Sequence, residues 1–373
     1  GEISNLVKPN FIFINIDDLG YADIGPFGSK INRTPNLDRM AEEGRKFTSF
    51  YAAPVCSPSR SSLMTGCYPK RALPIPHVLF PGNAVGLAAE EVTVAEVLKA
   101  AGYATGIVGK WHLGDQPEFL PLQQGFDFYF GLPYSNDMGP TYDGVKSNLN
   151  DPLPKPREKE QPPLPLMRNN TVMKRVLADD QQSLVEMYTD EAVKYMVAHK
   201  AEPFFLYLPH SAVHFPIYPG KKWAGKSPHG IYSDWVEEVD WSVGQVLDAV
   251  RAEGLADRTL VIFTSDNGCS PEANFEVLAK HGHDPSAGYR GHKADIYEGG
   301  HRVPLIVRWP GQIKGGSTTK ATACLTDVYA TLQDVTGQPR RPRGGEDGFS
   351  LVPVLKGGDS SGRDALISHS IGG

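Results

Sequence analysis

The chain has 373 residues, with 37 Lys+Arg against 43 Asp+Glu and a formal net charge of −6. Its 40% hydrophobic and 10% aromatic content excludes a largely disordered chain, and the mildly acidic balance argues against a broad nucleic-acid or polyanion surface. No apolar run approaches the ~20 residues of a membrane helix, and four cysteines without a C-x-x-C pair are too few for a disulfide scaffold.

In chain order, residues 11–16 form a short apolar, β-rich run. Thr34 then offers a cap with Pro35 at the first helical position; Leu37, Met40 and Ala41 turn inward and Gly44 stops the helix. The stretch Cys56-Ser57-Pro58-Ser59-Arg60 predicts a helix starting near Pro58. Cys56 would then lie at a helix N-terminus, where backbone N–H groups and the dipole favour an anion. Arg60 adds a fork of donors suited to a tetrahedral oxyanion. Thr93 and Glu96 make a capping-box pattern, with Val97 and Leu98 inward and Gly102 as the stop. Strand-like runs recur at 104–108, 204–208, 260–264 and 303–308, and helical spacing at 184–197, 236–250 and 327–335. This alternation predicts an α/β fold: a mainly parallel central sheet with helices on both faces.

Two stretches interrupt the alternation. Residues 136–175 are rich in Pro and Asn and read as a long insertion loop, functional or merely solvated. Residues 338–347 are polar and read as a linker. The expected organisation is one large α/β domain over residues 1–357 and a small terminal piece over 358–373.

In open α/β sheets, ligands bind outside the carboxyl ends of the strands. Asp17 and Asp18 follow the first predicted strand, Lys110 and His112 the second, His210 and His214 the third, Asp266 and Asn267 the fourth. Taken singly, an Asp-Asp pair is most often a turn and a lone His a hydrogen-bonded structural residue. Four strand ends carrying such groups point to one site. The oxygen-rich set Asp17, Asp18, Asp266 and Asn267 suits a hard cation, Ca2+ before Mg2+; lacking thiolate and imidazole, it is a poor zinc set. The pair His281-x-His283 reads as an exposed or substrate-contacting loop. Cys67, Cys269 and Cys324 are an odd remainder, so at least one should be free. Asn32-Arg33-Thr34 and Asn169-Asn170-Thr171 fit the glycosylation pattern.

Cys56-x-Pro58-Ser59-Arg60 with Thr65-Gly66 resembles the signature of the type I, formylglycine-dependent sulfatases of the alkaline phosphatase superfamily. The second signature of that family is resembled by Gly106-Ile107-Val108-Gly109-Lys110-Trp111-His112-Leu113-Gly114. Further similarities are Asn15-Ile16-Asp17-Asp18-Leu19-Gly20, Ser265-Asp266-Asn267-Gly268, and Gly291-His292-Lys293 leading into Tyr297-Glu298-Gly299-Gly300. Leu132-Pro133-Tyr134-Ser135-Asn136-Asp137 looks most like the arylsulfatase A-like branch.

The resemblance implies an alkaline-phosphatase-like fold, with the family's small C-terminal sheet largely missing. It implies oxidation of Cys56 to formylglycine by a maturation enzyme, the hydrated aldehyde providing the nucleophile. It implies Ca2+ held by Asp17, Asp18, Asp266 and Asn267 together with residue 56. Arg60 and Lys110 would hold the nucleophile in its reactive state. Lys110, His214 and Lys293 would bind the sulfate and the leaving group, with His214 or Lys293 as proton donor. His112 would be the base that releases sulfate, and Ser135 would contact it. Fixed cations aimed at the leaving oxygen stabilise the transition state of in-line displacement at sulfur more than the ground state. The implied reaction is hydrolysis of a carbohydrate or aryl sulfate, in a periplasmic, extracellular or lysosomal setting. The alternatives are a phosphate or phosphonate monoester hydrolase of the same superfamily, and a non-catalytic sulfate-binding protein with unmodified Cys56.

Overall fold

The computed structural model describes residues 8–53, 56–68, 79–83, 86–87, 91–295, 297–341, 343–359 and 363; the side chain of Cys56 lies outside this set. The five expected strands are present as β1 (Asn10–Ile16), β3 (Ala104–Lys110), β7 (Phe204–His210), β8 (Thr259–Ser265) and β9 (Arg302–Arg308). Six more were not anticipated: β2 (Arg45–Tyr51), β4 (Phe128–Leu132), β5 (Pro165–Arg168), β6 (Thr171–Arg175), β10 (Ser317–Thr319) and β11 (Ala323–Cys324). Among the described residues all belong to one sheet, ordered β10-β2-β9-β8-β1-β7-β3-β4-β5-β6, with β11 beside β2.

The side-chain period of two sorts each central strand between two cores. Ile12, Ile14 and Ile16 of β1 join Leu206 and Leu208 of β7 on one face, under helices α1 (Pro35–Glu43), α4 (Leu184–Ala198) and α5 (Ile231–Ala252). Phe11, Phe13, Phe205 and Tyr207 point the other way, toward α2 (Cys56–Thr65), α3 (Val94–Ala100) and α6 (Thr326–Val335). Burial on both faces explains why these strands read as continuous apolar runs.

Strand direction was less legible. The neighbours β8, β1, β7, β3 and β4 are parallel, but β9 runs antiparallel to both β8 and β2. A strand buried on both faces is apolar in either direction, so its sequence does not encode its sense.

Three local expectations are corrected. Thr34 precedes α1, but its hydroxyl does not cap it; it accepts from Gly25 N (2.9 Å) and donates to Asp38 Oδ1 (3.1 Å). The insertion is not all loop, because β5 and β6 make a hairpin on the sheet edge with Asn169 at φ 53 in its turn. Every residue of β6 is exposed, so no apolar alternation marks it. Residues 338–347 are no free linker: Gly345 N donates to Thr65 O (2.7 Å), Val92 N to Arg343 O (2.7 Å) and Tyr68 N to Asp347 (2.8 Å). A Cβ on Gly345, at φ +76, would come within 2.9 Å of the Tyr329 ring, so the close strap across α2 and α6 requires glycine. The capping box at Thr93 and Glu96 is present in both directions. Residues 360–362 and 364–373 of the expected terminal piece lie outside the described residues. Arg363 is buried against Asp327. No described helix is long and apolar enough to cross a membrane.

Candidate active site

Five adjacent parallel strands, β8-β1-β7-β3-β4, end on the same side of the sheet, and each delivers a polar residue there. β1 is buried along its whole length to Ile16, then gives Asp17 and Asp18. Asp18 adopts φ 62, a left-handed conformation that Asp tolerates better than most side chains. β3 ends on Lys110. A Cβ on Gly109 or Gly131 would collide with the carbonyl oxygens of Pro209 and Gly109, so glycine at both lets β7, β3 and β4 close up beneath that lysine. Asp266 and Asn267 follow β8, His214 follows β7, and Ser135 follows β4.

The structure brings these residues together. One oxygen from each of Asp17, Asp18 and Asp266 lies within 4.8 Å of the others, and all three residues are buried. Asn267 Nδ2 donates to Asp18 Oδ1 (2.6 Å). Lys293 Nζ donates to Asp18 Oδ2 (3.0 Å). Lys110 Nζ is bonded to Asp17 and reaches Ser135 Oγ at 3.2 Å. Arg60 donates to Asp266 Oδ2 (3.0 Å) and to the Lys110 carbonyl (2.8 Å), with Asp17 Oδ2 at 3.6 Å. His214 Nε2 is 3.9 Å from Asp18 Oδ2, and its Nδ1 donates to the Phe215 carbonyl. Cys56 is the first residue of α2, two positions before the expected start, so the backbone at residue 56 already belongs to the helix.

His112, Ser135, His214 and Lys293 line one cleft of about 330 Å³, together with Phe80, Asp137, Met138 and Phe215. His112 sits at φ 57, and its Nε2 donates to Leu79 O (2.5 Å). A carbonyl only accepts, so the proton is on Nε2 and Nδ1 carries a lone pair. That Nδ1 is buried without a hydrogen-bond partner among the described residues.

Burial sets the protonation pattern. It opposes ionisation of Asp17, but Lys110, His214 and Arg60 outweigh it and hold that carboxyl well below its ordinary range. Asp18 is pushed up to about 6 by burial, against the pull of Lys293. Asp266 rises to about 7 through burial and then the charge of Asp17. Burial, reinforced by Lys110, drives His112 well below its usual value. His214 falls to about 3 for the same first reason, with Lys293 adding to it. Two of three adjacent carboxyls thus resist ionisation, chiefly because they are buried, even with Arg60 and Lys293 bonded to them. A hard divalent cation would offset that cost, and an all-oxygen set of this spacing fits Ca2+ at about 2.3–2.6 Å per ligand.

Other sequence candidates fall outside the site. His210 Nε2 bonds Ser242 Oγ (2.9 Å) beside the Tyr188 ring and is held to about 3 by burial, a structural residue. His283 is not exposed; its Nε2 meets Asp23 Oδ1 at 2.7 Å. Asn32 is buried with Nδ2 on Asp23 O (2.8 Å), which removes it as a glycosylation acceptor in the folded chain. Cys67, Cys269 and Cys324 are all free and buried.

Sequence reasoning missed Ser57 and Ser59. Ser57 Oγ accepts from Leu79 N (3.1 Å) and donates to His112 O (3.0 Å). Ser59 Oγ accepts from Ala53 N (2.8 Å) and donates to the Asp266 carbonyl. The available signal was a helix carrying four serines in ten residues, Cys56–Thr65, yet with Ser57, Ser59, Ser61 and Ser62 all buried.

Comparison with known proteins agrees with this geometry. The sulfatase family model matches residues 9–338. The chain is 39% identical to arylsulfatase A of Homo sapiens, over 97% of this chain and 70% of that protein. It is 34% identical to an N-acetylgalactosamine-6-O-sulfatase of Bacteroides thetaiotaomicron, over 98% of this chain and 80% of that one. A solved Bacteroides thetaiotaomicron sulfatase from work on glycosaminoglycan metabolism superposes with a TM-score of 0.84 at 30% identity, covering 98% of this chain and 85% of that chain. With its alkaline-phosphatase-like sheet and these relatives, the chain belongs to the sulfatase family, enzymes that hydrolyse sulfuric esters.

Proposed function

We propose that the enzyme releases sulfate from a carbohydrate or aryl sulfate, using formylglycine made from Cys56 by a maturation enzyme and one Ca2+. The observation that carries this reading is the buried trio Asp17, Asp18 and Asp266, interleaved with Arg60, Lys110 and Lys293 beside the helix that opens at Cys56. Asp17, Asp18, Asp266 and Asn267, with residue 56, would hold the cation. A Ca2+ held there would lower the cost of an anionic oxygen at residue 56, where a hydrated aldehyde would offer one hydroxyl to attack and a second to be deprotonated.

The chain's own groups divide the remaining work. Arg60 and Lys110 fix positive charge beside residue 56 and the incoming ester. Ser135, within 3.2 Å of Lys110 Nζ, orients that ammonium toward a sulfate oxygen. Lys293 or His214 protonates the leaving oxygen: the Lys293 ammonium carries its proton throughout, whereas neutral His214 gives its Nδ1–H to the Phe215 carbonyl and can serve only once it is charged. His214 gains an Nε2–H only when charged, which the ester's negative charge favours, and it then binds a sulfate oxygen. His112, neutral with its Nδ1 lone pair, accepts the proton whose removal releases sulfate.

The test pairs two measurements. Sulfate release from 4-nitrophenyl sulfate and N-acetylgalactosamine 6-sulfate should exceed phosphate release from the matching phosphate esters. A strong phosphate preference would overturn the reading. The peptide holding Cys56 should be lighter by about 18 Da than the thiol form, the mass change of converting –CH2SH to –CHO.

A further inference from the structure

Asp137 lies two residues beyond Ser135 on the wall of the same cleft, across the His214 ring from Asp18. Its Oδ1 is buried and accepts no hydrogen bond among the described residues. The nearest titratable donor, His214 Nδ1, is 4.0 Å away and spends its proton on Phe215. That separation is too long for a hydrogen bond. A carboxylate oxygen withdrawn from water without a donor is costly, and a ligand that brings an O–H or N–H removes the cost.

The neighbouring lining says what kind of ligand this is. Met138, Phe80 and Phe215 give the cleft an apolar side suited to the carbon face of a sugar ring. Glu272, bonded by Ser270, places a second carboxylate on the lining. The lysine that lines the cleft, Lys293, is engaged with Asp18. On the side of the cleft that Asp137 and Glu272 line, a second sulfate or a uronate would meet two carboxylates, and like charges in a partly desolvated cleft repel; Lys146 and Arg157 line an adjoining cavity that shares Asp137.

We propose that Asp137 accepts a hydrogen bond from a ring hydroxyl or amide of the substrate, and that the cleft selects a monosulfated, otherwise uncharged pyranoside. This rests on the sulfatase reading above and deepens it. Asp137 is a specificity residue here and takes no part in the bond-breaking step.

The experiment compares Asp137→Ala and Asp137→Asn with the unaltered holoenzyme on three esters: N-acetylgalactosamine 6-sulfate, its 4,6-disulfate, and 4-nitrophenyl sulfate. Asp137→Ala should lose about 10-fold or more in kcat/KM on the monosulfated sugar, mainly through KM, and less than about 3-fold on the aryl ester. Equal losses on both would mean that Asp137 acts only by holding His214, and would overturn the proposal; so would no loss on the sugar. Asp137→Asn keeps an acceptor without the charge. It should remain within about 3-fold on the monosulfate and gain at least about 3-fold on the disulfate. No gain there sinks the charge argument even if the alanine variant does not fold. Should the unaltered protein cleave only the aryl ester, the sugar specificity is wrong while the sulfatase reading stands. Should it cleave none, the sulfatase reading fails, and calorimetric binding of N-acetylgalactosamine 6-sulfate decides Asp137 alone: about 10-fold weaker binding in Asp137→Ala supports the role, and unchanged or absent binding rejects it.

Discussion

The carboxyl edge of the sheet and the middle of α5 both bury acidic side chains, and they satisfy them in opposite ways. On α5, Asp240 accepts from Leu37 N (2.8 Å) and Asn36 Nδ2 (2.9 Å), Glu238 accepts from Gly220 N (2.8 Å), and Glu237 pairs with Arg33 (2.6 Å). Asp240 ties the first turn of α1 to the helix, and Glu238 and Glu237 each tie a loop to it. At the sheet edge, Asp17, Asp18 and Asp266 crowd one another and are met by Arg60, Lys110 and Lys293. Burial raises Asp240 to about 6 and Glu238 to about 7, much as it raises Asp18 and Asp266, so a shifted acid alone does not mark a site. Mutual crowding among cations does.

Breaking the crowded region should cost activity, and breaking the dispersed one should cost stability. The largest effect is expected from Arg60→Ala, which removes the donor to Asp266 and a fixed charge beside residue 56. Turnover should fall by at least about 10²–10³, measured as sulfate release at saturating ester. A loss below tenfold would place Arg60 outside the reaction.

Next is Asp266→Ala. Ca2+ affinity, measured by calorimetry on chelator-stripped protein, should drop at least about 10–100-fold, the loss usual even for outer-shell partners. Unchanged affinity would mean the cation is held elsewhere. Calcium should also raise the melting temperature of the unaltered chain more than that of the variant, since a ligand bound to the native state stabilises it.

Smaller and of the other kind is Asp240→Ala. It leaves Leu37 N and Asn36 without their acceptor and should cost about 1–3 kcal/mol by chemical denaturation. Its kcat/KM should be unchanged; a large kinetic loss would erase the contrast between the two regions.

The smallest effect is a pH slope. Glu238 is raised by burial, so the native state keeps a proton that the unfolded chain has already lost between about 4.5 and about 7. Stability contributed by this residue therefore falls as pH rises through that window. Glu238→Gln keeps an acceptor for Gly220 N and should flatten the slope, gaining relative to the parent at pH 8 but not at pH 4. Denaturation midpoints at the two pH values check this, and parallel profiles would refute it.

Legibility in the sequence followed the same physics. The five buried strands, the capping box and the bounds of α4 and α6 were readable, since apolar period and cap chemistry are local; α5 was expected from 236 but begins at Ile231. Strand β6 was not, because an edge strand with every residue in solvent leaves no apolar trace. Residues 338–347 looked like a linker because their strap is made by backbone groups and by polar side chains such as Asp347 and Arg343, which leave no apolar pattern. His210 and His214 sit four positions apart near the end of β7, yet one packs on Tyr188 and the other lines the cleft.

By itself the sequence determined the chemistry on offer: hydroxyl, carboxylate, imidazole and ammonium groups stationed where strands end, and a cysteine opening a helix. Only the tertiary structure decided which of them meet. Asp17 and Asp266 are far apart in the chain, and the register of β1 against β8, Ile16 beside Ser265, brings them side by side. The fold likewise left Asp137 Oδ1 without a donor among the described residues while giving Asp240 three. A residue's type fixes what it can donate or accept; its partners are fixed by chain segments distant in sequence, packed by apolar burial that no local pattern records.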